Sequence, residues 1–341
     1  MNTILPANGS IHGIPACIDY TPDIDFSTLQ AFIPLIYIIP TTGIMITILV
    51  MYRNAKKNDN AASMDSDIFT LIMLYFLFNS MFFIGDYLRF NLPSSGLITS
   101  FCASVRPNRW LGILIIYSYA TNYLTIACPL LVCTVRLTIM ISPRNCRHYS
   151  DLVMRWFIIP FLLLVPAALI FLNFHVFGYC RQLGPPFEFG SIMIYEGDEY
   201  YHTNTIIHFS FSCFMLLSGS IISMLMLFQL RMTVPSNTSA RTKELRRKIE
   251  LSLSLTMLSG MVPFITNSIV SVTFLWSRSN WFASLILHPI GNDFETVMMP
   301  WVLFFTHPLF RKKNMVPKMS TSSVASKSTS GRKVSTVTRV L

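Results

Sequence analysis

Four ionisable side chains lie inside stretches that are otherwise apolar: Asp86, Arg136, Asp293 and Glu295. A charge within a membrane-crossing helix costs about 2.5–3.5 kcal/mol on insertion scales, so each needs a partner or a task. The chemistry open to them is ion pairing, proton exchange or recognition of a polar ligand. Asp86 stands one turn before Arg89, which also fits a simple i,i+3 pair at a helix end. Asp293 and Glu295 are two positions apart, so they point to different faces of one helix and do not share a partner. Ser118, Asn122 and Thr125 form a polar stripe at i, i+4 and i+7. Such a stripe either glues helices together or lines a cavity.

Catalytic signatures do not accompany these groups. The chain has no H-E-x-x-H, C-x-x-C, G-x-S-x-G or phosphate-binding glycine loop. His175, His202, His208 and His288 are scattered near helix ends and read as interfacial or hydrogen-bonded residues. No enzyme activity, metal or cofactor is expected. A membrane hydrolase would need clustered metal ligands.

The elements that must position these residues are seven long apolar stretches: 31–52, 68–88, 110–141, 152–177, 205–230, 249–276 and 282–305. Each reaches the roughly 20 residues an α-helix needs to cross about 30 Å of hydrocarbon. They are too long and too continuously apolar for barrel strands, which alternate. Charged residues make up only 12% of the chain, about half the share in a soluble domain. The net charge of +10 could suggest nucleic acid, but its placement argues against that. With loops assigned alternately, only Arg89, Arg106, Arg109, Arg181 and Arg278 fall on one side. The other 21 of the 26 Lys and Arg fall on the opposite side. By the positive-inside rule that side is cytosolic. The expected fold class is an all-α membrane protein, a seven-transmembrane-helix bundle with the N-terminus outside and the C-terminus in the cytosol.

On this reading residues 1–30 are an extracellular segment and 31–306 the transmembrane domain. Residues 307–313 form a short membrane-surface helix and 314–341 a disordered cytosolic tail, rich in Ser, Thr and Lys. A basic n-region is missing, so no cleaved signal peptide is expected. Asn8-Gly9-Ser10 is a glycosylation sequon in the external segment; Asn237-Thr238-Ser239 falls in the cytosol and stays unmodified. Of seven cysteines, Cys17, Cys102 and Cys180 lie outside, where disulfides persist. A Cys102–Cys180 bridge would tie the second external loop over the top of helix three. A bridge from Cys17 competes with it, and spacing alone does not decide. Cys128, Cys133 and Cys213 read as packing residues.

Prolines interrupt three of the helices: Pro129 in helix three, Pro263 in helix six and Pro300 in helix seven. Each removes a backbone donor and kinks its helix. A kink at Pro263 would make helix six a lever whose movement shifts the basic segment 241–248.

Together these features resemble the rhodopsin-like G-protein-coupled receptors, and more closely the nematode serpentine chemoreceptors of class U. The resemblance covers about residues 33–313. It is carried by IPLIYIIPT at 33–41, LPSSGLITSFCA at 92–103, GYCRQLGPPFEFG at 178–190, ELSLSLT at 250–256, HPIGNDFE at 288–295 and PWVLFFTHPLF at 300–310. It implies that Arg136 is the arginine at the cytosolic end of helix three. Here the surrounding run is Thr134-Val135-Arg136-Leu137, without the usual preceding acid or following tyrosine. Glu244 or Glu250, at the start of helix six, could pair with Arg136 at rest instead. Pro300 matches the helix-seven proline, but Met299 replaces the usual Asn and Phe304 stands where Tyr is usual. The mid-membrane Asp of helix two is missing, with Asn79 nearest, which argues against a sodium site. The run from His307 to Arg311 resembles the turn into a short helix on the inner leaflet.

The function this implies is a chemosensory receptor. A small external ligand would enter a cleft between helices three, five, six and seven, lined by Ser118, Asn122, Phe264, Asn267 and Asp293. A heterotrimeric G protein would dock against Arg136 and the third internal loop. Arrestin and a receptor kinase would act on the tail. The location implied is the plasma membrane, in sensory-neuron cilia. A ligand-gated channel or small-solute transporter is the competing class. Internal repeats and intramembrane carboxylate relays, which would favour it, are lacking.

Overall fold

The computed structural model describes residues 9–22, 26–57, 64–142, 145–173, 175–183, 189–196, 198–232, 240–261, 265–266, 268–269, 272 and 281–311. They belong to one compact unit, Met1–Arg311. Among the described residues seven helices reach 15 residues or more. They are α1 (Phe26–Lys57), α2 (Ser66–Asp86), α3 (Arg109–Ile141), α4 (Ile159–Asn173), α5 (Asp198–Met232), α6 (Ala240–Ser259) and α7 (Trp281–Thr306). Each of the seven apolar stretches overlaps one of them. Five spans are long and apolar enough to cross a membrane, by length and composition: Ala31–Lys57, Ser66–Ser94, Arg109–Ile141, Arg147–Ala168 and Thr203–Gln229.

Helix ends differ from the apolar boundaries in a consistent way. α1 starts at Phe26, α5 at Asp198 and α6 at Ala240, each before its apolar run begins. Hydropathy marks the hydrocarbon layer, and a helix need not stop where polar residues start. Local capping sets other ends. The Asp65 side chain accepts from the Asp67 amide at 2.9 Å to open α2, and Asn108 accepts from the Leu111 amide at 2.9 Å to open α3. Lys56 and Lys57 complement the C-terminal dipole of α1. α2 runs on through a π-turn, Tyr87–Asn91, that carries Arg89. α4 follows a short helix, Cys146–Val153, and a π-turn, Met154–Ile158. α6 ends at Ser259 in a turn through Gly260 and Met261. Pro263 and its expected kink lie outside the described residues.

α3 is the central element. In its most apolar window 67% of residues are buried, against 6% for the Arg147–Ala168 span. The outer faces of α1, α4 and α5 expose Ile36, Leu163, Leu164, Phe171 and Phe228, a surface suited to lipid. Two glycines permit a close approach at one end of α3. A Cβ on Gly112 would stand 2.5 Å from the Val176 carbonyl, and one on Gly178 2.5 Å from the Leu111 backbone. Most threonine hydroxyls on α1 and α3 return to the carbonyl four residues back, as Thr41, Thr121 and Thr125 do.

No strand is expected from the apolar pattern, yet a hairpin closes this end of the bundle. β1 (Gly178–Gln182) and β2 (Ser191–Tyr195) are antiparallel, with Cys180 opposite Met193. The N-terminal segment joins as a third line. Ile11 donates to the Cys180 carbonyl at 3.2 Å, and Gln182 donates to the Gly9 carbonyl at 3.0 Å. Asn108 and Gly178 exchange backbone bonds at 3.0 and 3.1 Å, which ties β1 to the start of α3. Cys102 and Cys180 are joined in a disulfide with Cα atoms 5.7 Å apart. Cys17 is buried and free. After His307, a four-residue helix, Pro308–Arg311, ends the described chain. It is the start of the segment read as a membrane-surface helix.

Candidate functional site

At the end of the bundle away from the hairpin, Arg136 reaches from α3 to α6. Its Nη2 donates to Glu250 Oε2 at 2.8 Å, to the Glu250 carbonyl at 3.3 Å and to Ser254 Oγ at 3.3 Å. The arginine side chain is 2% exposed and the glutamate 19%. Nε and Nη1 of Arg136 are buried without a hydrogen-bond partner. One nitrogen therefore makes all the bonds of a five-donor group. Glu244, the other glutamate considered, pairs within its own helix with Lys248 at 2.6 Å. That exposed ammonium holds its carboxyl below the usual range. The geometry thus separates two glutamates that the sequence left as alternatives. Nearby, Ser252 and Thr306 join α6 to α7 at 2.6 Å. Pro300 is buried on α7 beside Met299, and the Met299 sulfur packs toward Gly260.

At the hairpin end, Arg89 is buried beneath β2. Its Nε donates to the Met193 carbonyl at 3.1 Å and its Nη2 to the Tyr119 hydroxyl at 3.0 Å. The guanidinium also stands 4.4 Å from the Tyr119 ring centre and 5.0 Å from that of Phe90. Tyr119 in turn stacks on Tyr195 of β2, with ring centres 5.9 Å apart. Asp86 is buried as well. Asp86 acts on Arg89 electrostatically, so the i,i+3 relation stands within a buried arrangement rather than at an open helix end. Arg89 takes its acceptors from α3 and the hairpin, because the hairpin removes this end of α2 from solvent.

The polar stripe of α3 divides by partner. Thr125 bonds back to the Thr121 carbonyl. Asn122 bonds to His208 Nε2 of α5 at 3.1 Å, and the His208 ring lies edge-on to Tyr123. Ser118 Oγ is fully buried without a partner. On α7, Asp293 lies beside Tyr37 of α1 and within electrostatic reach of Asp86. The described neighbours of Asp293 are thus on α1 and α2, whereas the partner of Asn122 is on α5. Asn79 accepts from Thr296 at 2.9 Å, which links α2 to α7. Asn8, Phe264 and Asn267 lie outside the described residues, as does the side chain of Glu295. Among the described residues no group of three or more His, Cys, Asp or Glu could hold a metal ion.

His208, expected from the sequence to be interfacial or hydrogen-bonded, bonds to Asn122; the sequence alone gives Tyr119, Tyr123 and Tyr195 no particular role. The helix faces of His208, Tyr119 and Tyr123 were legible, but their partners were not: that of His208, Asn122, lies 86 residues away along the chain.

Known proteins give this geometry a context. Residues 11–313 match the family described as "Serpentine type 7TM GPCR chemoreceptor Sru". The chain is 32% identical over 288 residues to serpentine receptor class U-26 of Caenorhabditis elegans. That alignment covers 83% of this chain and 93% of the relative. The chain belongs to the class U family of serpentine chemoreceptors, which are multi-pass membrane receptors.

Proposed function

We propose that this class U serpentine receptor detects a small external molecule within its helix bundle and activates a heterotrimeric G protein. The chain crosses the plasma membrane seven times, with residues 1–30 outside and the tail from 314 in the cytosol. Asn8 carries a glycan. The 21-to-5 division of Lys and Arg supports this orientation.

The observation that carries the reading is the Arg136–Glu250 pair between α3 and α6. It lies where the basic loops gather and holds the middle of α6 against α3. A ligand that binds the outward-swung state better than the resting one releases α6; equal affinity for both would switch nothing. Release frees Arg136 for the G protein. Ser/Thr phosphorylation of the tail by a receptor kinase would convert a basic segment into a mixed one and recruit arrestin. Sensory cilia are the expected location.

The test expresses the receptor with tags at both ends and a promiscuous G-protein reporter. The expected result is an N-terminal tag stained on intact cells, a hidden C-terminal tag, and a reporter response to an external chemical panel. An exposed C-terminal tag would overturn the topology. An ion current that needs no G protein would overturn the signalling mechanism.

A further inference from the structure

Hydroxyls that serve only the fold are satisfied along α3. Thr121 and Thr125 bond to the carbonyls four residues back at 2.8 Å. Five oxygens around them are not satisfied: Ser118 Oγ, Asn122 Oδ1 and Tyr123 Oη on α3, Ser212 Oγ on α5 and Tyr195 Oη on β2. All five residues are at most 4% exposed. Buried polar atoms are hydrogen-bonded in the great majority of cases, so five together ask for an explanation.

Ser118 lies one turn before Asn122, against Gly85 of α2, and the others share neighbours. Asn122 bonds to His208, and the rings of His208 and Phe211 stand 5.5 and 5.0 Å from that of Tyr123. Ser212 is one turn from His208 and so on the same face of α5. Tyr119, one turn before Tyr123, stacks on Tyr195. Below them Ile126, Ala127, Met215 and Met261 form an apolar floor.

The local charges restrict what this junction can recognise. α3 and the span Thr203–Gln229 of α5 contain no Asp or Glu, and neither does β2. An amine therefore finds no carboxylate on these elements. The neighbouring cation, Arg89, is held by Tyr119, Phe90 and the Met193 carbonyl, and the buried Asp86 carboxylate acts on it electrostatically, so these two charges answer each other. With the Asn122 amide nitrogen donating, His208 Nε2 is an acceptor, and Asn122 Oδ1 is left to accept from a guest. From this we infer that the junction of α3, α5 and the hairpin recognises a small uncharged molecule bearing hydroxyl, carbonyl or amide groups on an apolar body. This rests on the receptor reading above and names its ligand class. Such a site rejects an analogue that lacks the polar group, because its own buried groups then stay unpaired.

The test uses the full-length receptor with the G-protein reporter and compounds matched in skeleton but not in charge. One such set is 2-phenylethanol, phenylacetamide, phenylacetate and phenethylamine, alongside equivalent sets on linear and branched alkyl skeletons. Responses are expected to neutral alcohols and amides. Asn122→Leu is expected to raise the half-maximal concentration about tenfold or more at unchanged surface level. His208→Phe should do the same, and His208→Gln, which keeps a polar group, should lose less. A response only to carboxylates or only to amines overturns the ligand class and leaves the receptor reading intact. A neutral-compound response that ignores both Asn122→Leu and His208→Phe overturns the site. Silence to every neutral compound overturns the inference. In that case Glu250→Gln decides the reading beneath it: raised basal signalling keeps the receptor reading, and no change removes it.

Discussion

Two arginines are buried near opposite ends of this bundle, and they are held differently. Arg89 has two acceptors, two aromatic faces and a hairpin fixed by the Cys102–Cys180 disulfide. Its acceptors are uncharged, and one is a backbone carbonyl that moves only if the hairpin moves. Arg136 depends on one helix, α6, through a single nitrogen. Two of its three nitrogens are buried without partners. The first arrangement is a scaffold, satisfied in one geometry. The second is satisfied only in part, so it can be given up when something better is offered. The hairpin end should therefore govern how much receptor reaches the surface, and the other end how it signals.

The largest effect expected from this contrast is at the hairpin. Arg89→Ala removes two charge-assisted hydrogen bonds, worth about 3 kcal/mol or more together. Surface staining should fall to a small fraction of wild type. Arg89→Lys should not restore it, because an ammonium lacks the planar fork that bonds and stacks at once. Cys102→Ser and Cys180→Ser should each lower surface level by similar amounts, with the double change adding little. Normal surface level in the Arg89→Ala variant would erase the distinction between the two ends.

Arg136→Ala should act in the opposite sense. It deletes a buried charge and leaves Glu250, which is partly exposed and can hydrate. Surface level should stay within about twofold, since little stability is lost. Reporter output to a saturating active compound should vanish. Full output from this variant would reduce Arg136 to an anchor.

The smallest effect should come from the tail. Residues 319–341 lie outside the described residues, and their sequence carries few large apolar side chains. Deletion after Lys318 should leave surface level and peak response near wild type but slow desensitisation. A receptor that misfolds without this segment would contradict the division of labour.

What could be read from the sequence follows the same contrast. The helices were legible because a bilayer demands long apolar runs, and 110–141 falls within one residue of α3. The hairpin was not. Ser191–Tyr195 is a short run buried at every position, and Gly178–Gln182 adjoins a membrane stretch. Neither alternates enough to announce a strand. Arg136 was legible because a charge beneath an apolar helix is conspicuous. Its partner was narrowed to two glutamates, and only the fold separates Glu250 from Glu244. Asn122 was legible as part of a stripe, but a stripe does not reveal that its neighbour is His208, 86 residues away.

Basal G-protein signalling, normalised to surface level, reads directly whether Arg136 and Glu250 restrain α6 at rest. Glu250→Gln leaves the buried guanidinium without its counterion while nearly preserving shape. The inward position of α6 then loses the interaction that favoured it. A shift of about 1.4 kcal/mol between the two receptor states raises the active fraction up to about tenfold. Glu244→Gln, which breaks only an exposed pair with Lys248, serves as the control. The predicted result is raised basal output for Glu250→Gln and wild-type output for Glu244→Gln. Equal basal output from both variants and the wild type would show that the Arg136–Glu250 pair does not restrain α6.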